Sequence, residues 1–188
     1  VAFPDGFEDL NTKEDIIRSL VALKKKYPEA RKAVVKMNDG FSGDGNAMYY
    51  YPEVKEAELE SAIASTLGHL LKPVSHDVSQ QLFFEKFSSM GGIVEAFLDG
   101  EEKMSPSVQC VVSPSGKVDI VSTHDQLLGG DDGQVFIGAI FPADKAYSGT
   151  LAVEGKKIAE ALVKKGVVGR FAIDFISVKQ KDGLWKHY

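Results

Sequence analysis

In the stretch VVKMNDGFSGDGNAMYY, residues 34–50, a β-branched run carries Lys36, and the segment Gly40 to Gly45 behind it contains three glycines. A lysine beside such a loop suits an anion, because the ammonium supplies charge and glycine lets backbone N–H groups approach closely. The same residues also fit an ordinary hairpin with a surface lysine, since Gly, Asp and Asn are turn formers. A second candidate lies in GVVGRFAIDFISVKQKDGLWKHY, residues 166–188, where Val167 to Val178 is apolar except for Arg170, Asp174 and Ser177. Asp174 would sit mid-strand between Ile173 and Phe175, where an unpaired carboxylate is costly. Such a group needs a cation, a basic partner or a metal, unless its face is open to solvent.

The familiar glycine loops fail at nameable residues. Gly40 and Gly45 have the outer spacing of a Walker A loop, but Asn46 and Ala47 stand where Lys and Ser/Thr are required. The order Gly40, Gly43, Gly45 is not Gly-x-Gly-x-x-Gly, and the next segment is AMYYY rather than a helix start. An EF-hand frame begun at Asn38 places Gly43 correctly and then puts Tyr49 where a bidentate Glu belongs. A nucleophile elbow on Ser42 meets Asp44 in place of Gly.

Several elements must position these groups. Thr12 and Asp15 form a capping box that starts a helix over Lys13 to Lys26, with Ile16, Leu20, Leu23 and Tyr27 on one face. KAVVKM, Lys32 to Met37, reads as a strand. Pro52 with Glu53, Glu56 and Glu58 predicts a second helix, which carries Leu59, Ile63, Leu67 and Leu70 and ends before Pro73. A third covers about Val78 to Ser88. From Gly91 onward GGIVEAFL, SVQCVVS, KVDIVST, QVFIGAIF and GRFAIDFISV read as strands, interrupted by one helix over Ser148 to Lys165 that Gly166 stops. A helix-rich first half and a strand-rich second half predict an α+β chain with a boundary near Val94 to Phe97. Asp182-Gly183 predicts a two-residue hairpin pairing Lys181 with Leu184. Continuing that register puts Asp174 opposite position 191, so its complement would lie just past Tyr188.

The 188 residues, 44% hydrophobic and 26% charged, can bury one core or two small lobes. A net charge of -5 and the lack of a dense basic tract argue against a nucleic-acid surface. The cluster LKKKYP ends a helix, where lysines complement the dipole. Cys110 is the only cysteine, so neither a disulfide framework nor a cysteine metal site is expected, and a cytoplasmic setting fits. No apolar run reaches the roughly 20 residues that span a bilayer, and no membrane partner is expected. The chain opens on Val in VAFPDGFEDL, which reads as a piece of something longer.

Five segments in order, VVKMNDGFSGDGNA, GGIVEAFLDGEEKMSPSVQC, STHDQLLGG, GQVFIGAIFPA and GRFAIDF, resemble an ATP-grasp domain over nearly the whole chain. The likeness is greatest to the carboxylate–amine ligases related to the pheganomycin peptide ligase. It implies two α+β lobes, each a mostly antiparallel sheet with helices, over residues 1–95 and 96–188, with the nucleotide cleft between them and the second lobe incomplete at its end. It also implies an ATP-dependent C–N ligase that activates a carboxylate as an acylphosphate for attack by an amine, with ATP and Mg as cofactors. A nucleotide-binding module without ligase activity is the alternative. By the same resemblance Lys36 contacts the phosphates, and Gly40, Phe41, Ser42, Gly43, Gly45 and Asn46 belong to the loop folding over them. Glu95, Ala96 and Phe97 form the hinge at the adenine edge, with Ile93 or Val94 on the ring face. Glu102 is preferred to Glu101 for the ribose, and Asp174 resembles the first magnesium carboxylate. Arg170 would hold a substrate carboxylate or the intermediate, or else serve as a salt-bridge partner. In the family, the strand after Asp174 supplies a Glu and an Asn to the metal. Asp39 and Asp44 would repel phosphates unless they point outward.

The other candidates read more plainly. His124, with Asp125 and Gln126, suits either a polar site rim or a turn capping a strand. His69, His76 and His187 read as surface, Cys110 as a small core residue, and Trp185 and Tyr49 to Tyr51 as packing. Ser105 and Ser107 lack a base and are poor nucleophiles.

Overall fold

The computed structural model describes residues 1–40, 45–100, 102–129, 133 and 135–188. The chain divides into two compact units, each with its own core: one of Pro4–Phe97 with Gly129–Val135, the other of Val1–Phe3, Leu98–Leu128 and Phe136–Tyr188.

In the first unit, α1 (Lys13–Lys26) starts where Thr12 accepts from the Asp15 backbone and Asp15 reaches back to the Thr12 N–H, the capping box expected from sequence. Five strands, β1 (Gly6–Leu10), β2 (Lys32–Met37), β3 (Asn46–Tyr50), β4 (Leu71–Pro73) and β5 (Gly92–Ala96), make one antiparallel sheet in the order β1-β5-β2-β3-β4. α2 (Leu59–Leu70) begins later than Pro52 predicts. Residues 52–55 are irregular and a single 3₁₀ turn, Glu56–Glu58, precedes it, so the acidic cluster lies ahead of the helix rather than inside its first turn. α3 (Gln80–Met90) is capped by the Ser79 hydroxyl and stops at Gly91, whose φ of 74° favours glycine.

Strand alternation gives this sheet two different faces. Ala33, Val35, Met37, Ala47, Tyr49 and Val94 form one core with Ile16 and Leu20 of α1, Ile63 of α2 and Phe83 of α3. The opposite face carries Val34, Lys36, Asn46, Met48, Ile93 and Glu95.

Among the described residues six further strands make the other sheet: β6 (Lys103–Val112), β7 (Val118–Gly129), β8 (Val135–Ile140), β9 (Gly169–Asp174), β10 (Ser177–Lys179) and β11 (Trp185–His187). Their order is β11-β10-β6-β7-β8, with β9 also paired to β6. The run read as a single strand from Gly169 to Val178 is broken at Phe175 and Ile176, and its two halves pair with successive stretches of β6. α4 (Ser148–Val163) lies on β6, where Gly155 faces Val108. Asp125, buried on β7, accepts from the Tyr147 hydroxyl at 2.5 Å and the Asp144 backbone N–H at 2.9 Å, fixing the segment that leads into the helix.

The closing hairpin differs from the two-residue reading. Gln180 and Leu184 close a three-residue turn, with Gly183 at φ 83°, and Lys179 pairs with Trp185. The ladder runs on to Ile176 opposite Tyr188, shifting the expected register by one residue. Such a shift turns each paired side chain to the other face. Among the described residues, no helix is long and apolar enough to cross a membrane.

Candidate functional site

Lys36 is the fifth residue of β2, opposite Asn46 on β3 and Ile93 on β5. Its side chain is 33% exposed and forms an ion pair with Glu95, which is 12% exposed. Glu95 sits diagonally across the β2–β5 ladder, opposite Val34, so the pair lies on the sheet face away from the helices. The neck of the glycine loop is closed by Gly40 and Gly45. A Cβ on Gly40 would stand 3.0 Å from the Gly45 Cα, and one on Gly45 would stand 3.0 Å from the Gly40 Cα. Met37 N–H donates to the Gly45 carbonyl at 2.9 Å, and Asn38 is tied to the end of α3 through the Gly91 and Met90 carbonyls. Phe41, Ser42 and Gly43, also expected at the phosphates, lie outside the described residues, as do Asp44 and Glu101.

The face assignment separates the hinge residues. Val94 is fully buried in the helix-packed core, and Ala96 packs against the same core. Of the two alternatives for an adenine ring, Ile93 therefore shares the face of Lys36, and the Val94 side chain does not. Phe97 is half-buried, with the Lys32 amine 3.9 Å from its ring centroid.

In the second unit Asp174 ends β9 rather than sitting mid-strand, and it is exposed, the solvent-facing alternative that the sequence left open. Arg170, Ala172 and Asp174 alternate with the half-buried Phe171 and Ile173, so the open face of β9 relieves the carboxylate of any desolvation cost. Registration places Asp174 beside Ser107 and Ser107 beside His124, forming one cross-strand row over β9, β6 and β7. Ala172, Gln109 and Ser122 make the next row on that face, which points away from α4. Ser107 is buried and accepts from the Gln109 amide at 3.3 Å. Ser107 and Gln109 enter this face only through the β6–β9 register, and nothing in their local sequence marks them. Asp125 belongs to the core on the opposite face, which leaves His124 and Gln126 as the polar pair of that segment. Glu102, expected at a ribose, is exposed and ion-paired to Lys179 at 2.6 Å.

Among the described residues no three His, Cys, Asp or Glu side chains converge as a metal site. Magnesium needs fewer protein ligands than that, because one or two carboxylates with phosphate oxygens and waters suffice. Asp174 on a polar, open face fits a nucleotide-borne magnesium ion, and Lys36 at a glycine neck fits phosphate oxygens.

His187 is not at the surface as its sequence position predicted. It is 6% exposed, with Nδ1 2.7 Å from the Ser177 hydroxyl and Nε2 2.9 Å from that of Thr150. His69 and His76 are exposed, and Cys110 is a core residue whose thiol pKa burial raises.

A sequence family described as IQCH-like, ATP-grasp, matches residues 51–186. The IQ motif-containing protein H of Danio rerio is 21% identical over 212 residues, an alignment that takes in 98% of this chain and 20% of the relative. Biotin carboxylase from Campylobacter jejuni, solved as a β,γ-ATP complex, superposes with a TM-score of 0.64 at 17% identity, over 100% of this chain and 36% of that one. The ADP complex of N5-carboxyaminoimidazole ribonucleotide synthetase gives 0.61 at 15% identity, over 100% of this chain and 40% of that one. The chain thus spans one fifth of the curated relative and well under half of these two enzymes.

Proposed function

Because the chain belongs to the IQCH-like ATP-grasp family, we propose that it binds ATP, with Lys36 at the phosphates and Asp174 toward a magnesium ion carried by the nucleotide. We take the reaction served to be the joining of a carboxylate to an amine through an acylphosphate, the chemistry of the ligases related to the pheganomycin peptide ligase. The observation that carries the nucleotide reading is the Lys36–Glu95 pair, on the sheet face opposite the helix-packed core and beside the Gly40–Gly45 neck.

Each chain residue has a definable part. Lys36 would exchange Glu95 for phosphate oxygens and neutralise charge spread over the transferring group. Glu95, released, would keep the ammonium oriented through the same face, and the backbone at Glu95 and Phe97 would meet the adenine edge, the Ala96 N–H being taken by the Asp5 carbonyl at 2.8 Å. Ile93 would supply the apolar contact. Magnesium, when bound, would add positive charge at the phosphates. Arg170, on the same face of β9 as Asp174, would hold the carboxylate of the second substrate. Gly40, Gly45 and Asn46 would bring the loop over the nucleotide and exclude water that would hydrolyse an acylphosphate.

A second reading is nucleotide binding without ligation, in keeping with a curated relative whose name, IQ motif-containing protein H, names no ligase. Calorimetric titration with ATP and magnesium separates the possibilities. Lys36→Ala and Asp174→Asn should each weaken binding about ten-fold or more, the loss of one charge-assisted contact. Lys36→Ala also strands Glu95, so the Lys36→Ala, Glu95→Gln double variant is the control. It should regain stability and not affinity. No ATP binding, or binding indifferent to both single changes, sinks the site assignment. ADP release in a screen of carboxylates and amines supports ligation, and binding without any release supports the second reading.

A further inference from the structure

A cavity of about 610 Å³ lies wholly within the first unit, between the segment from Lys24 to Arg31 and the segment from Tyr50 to Leu59. It opens at the end of the β2–β3 hairpin remote from the phosphate neck. Lys32 faces Tyr50 at this end and Lys36 faces Asn46 at the other, about 13 Å away at the usual strand rise. Its volume is within the range of small-ligand pockets, and no residue of the proposed nucleotide site lines it.

The walls are pre-formed. The Lys24 amine donates to the Pro28 carbonyl at 2.6 Å and the Ala30 carbonyl at 2.8 Å, bracing the turn after α1. The Tyr51 backbone N–H donates to Arg31 and its hydroxyl to Leu20, both at 2.9 Å, which locks the second wall to the first. Burial pushes the Tyr51 phenol pKa well up, so that hydroxyl remains a neutral donor. The remaining charges are divided by segment. Lys25 and Arg31 come from the α1 side, together with Glu29, and Glu53 and Glu56 come from the β3–α2 side. None of these five forms an ion pair among the described residues, although both signs line one cavity.

We propose that this cavity binds a zwitterion with an apolar body, a free amino acid or dipeptide, its carboxylate at Lys25 and Arg31 and its ammonium at Glu53 and Glu56. The lining carries three cations and three carboxylates, so it does not favour a polyanion such as a nucleotide. Tyr50, Pro52 and Leu59 offer the aromatic and aliphatic surface that an uncharged side chain would cover.

The test is calorimetric titration of the chain with L-phenylalanine, L-leucine and the dipeptide Leu-Phe, and with N-acetyl and C-terminal amide forms of each. The zwitterions should bind about ten-fold or more tightly than either blocked form, since each block removes one charge-assisted contact. Arg31→Ala should abolish the preference over the amides alone. Glu53→Gln combined with Glu56→Gln should abolish the preference over the N-acetyl forms alone. ATP should not compete. No binding at millimolar ligand, equal binding of free and blocked forms, or competition by ATP would each overturn the assignment, and the first two leave the nucleotide reading untouched. All three substituted positions are exposed, so the variants are expected to fold.

Discussion

Charging His187 would leave a buried hydroxyl without an acceptor. The Thr150 hydroxyl donates to the Tyr147 carbonyl at 2.9 Å, so it accepts from Nε2–H, and Nδ1 must accept from the fully buried Ser177 hydroxyl. A proton on Nδ1 would turn the Ser177 hydrogen away from its partner. Burial accordingly lowers the pKa of the ring, and the charge of Glu154 opposes this to a lesser degree. The unfolded chain, with a histidine pKa near 6.5, then binds more protons than the folded one between the depressed value and about 6.5. This contribution to stability is complete above about pH 6.5. It declines as pH falls through the window and levels off below the folded pKa. Urea midpoints measured between pH 5 and pH 8 should show the decline, and His187→Gln should remove that component from the profile.

Helix α4 meets the second sheet through a glycine, which sets two substitutions in the same helix against each other. A Cβ on Gly155 would lie 2.8 Å from Cγ1 of Val108, a fully buried β-branched residue with little rotamer freedom. Gly155→Ala gains up to about 1 kcal/mol of helix propensity. Overpacking a tight contact costs about 1–3 kcal/mol, so the clash should win and the variant should lose stability. Gly149 meets nothing within 4 Å at its Cβ position. Gly149→Ala should therefore stabilise the chain by about 0.5 kcal/mol. Denaturant titrations with unchanged slope would check both, and a stabilised Gly155→Ala would mean that the helix sits farther from β6.

Each unit has its own core, so unfolding need not be a single transition, and ligand effects are best read as shifts of each resolved melting step. If ATP with magnesium binds the folded chain, saturation at one hundred times Kd should stabilise it by about 2.7 kcal/mol. Differential scanning calorimetry should show a concentration-dependent rise in Tm. That rise should be much reduced in Lys36→Ala and in Asp174→Asn, and an equal rise in both variants would mean that the nucleotide binds elsewhere.

Local chemistry was enough to read α1 from Thr12 to Lys26, because its capping box and its one apolar face are contained within the helix. The same holds for β2, whose β-branched run is bounded by turn residues, and for the order of the five segments that resembled an ATP-grasp domain. Whole-chain pairing decided the rest. Lys36 meets Glu95 and shares a face with Ile93 rather than Val94 because β2 pairs with β5, more than fifty residues along the chain. Asp174 is exposed, Asp125 turns inward and Ser107 joins the polar row because β6 registers β7 on one side and β9 on the other. Asp182-Gly183 marked a turn, yet the closing pair fell one residue away, since Gly183 takes the left-handed position of a three-residue loop. The physical reason is common to these cases. A strand's side chains alternate with period two whatever the partner, but which parity faces the helices is settled only when distant backbone groups pair.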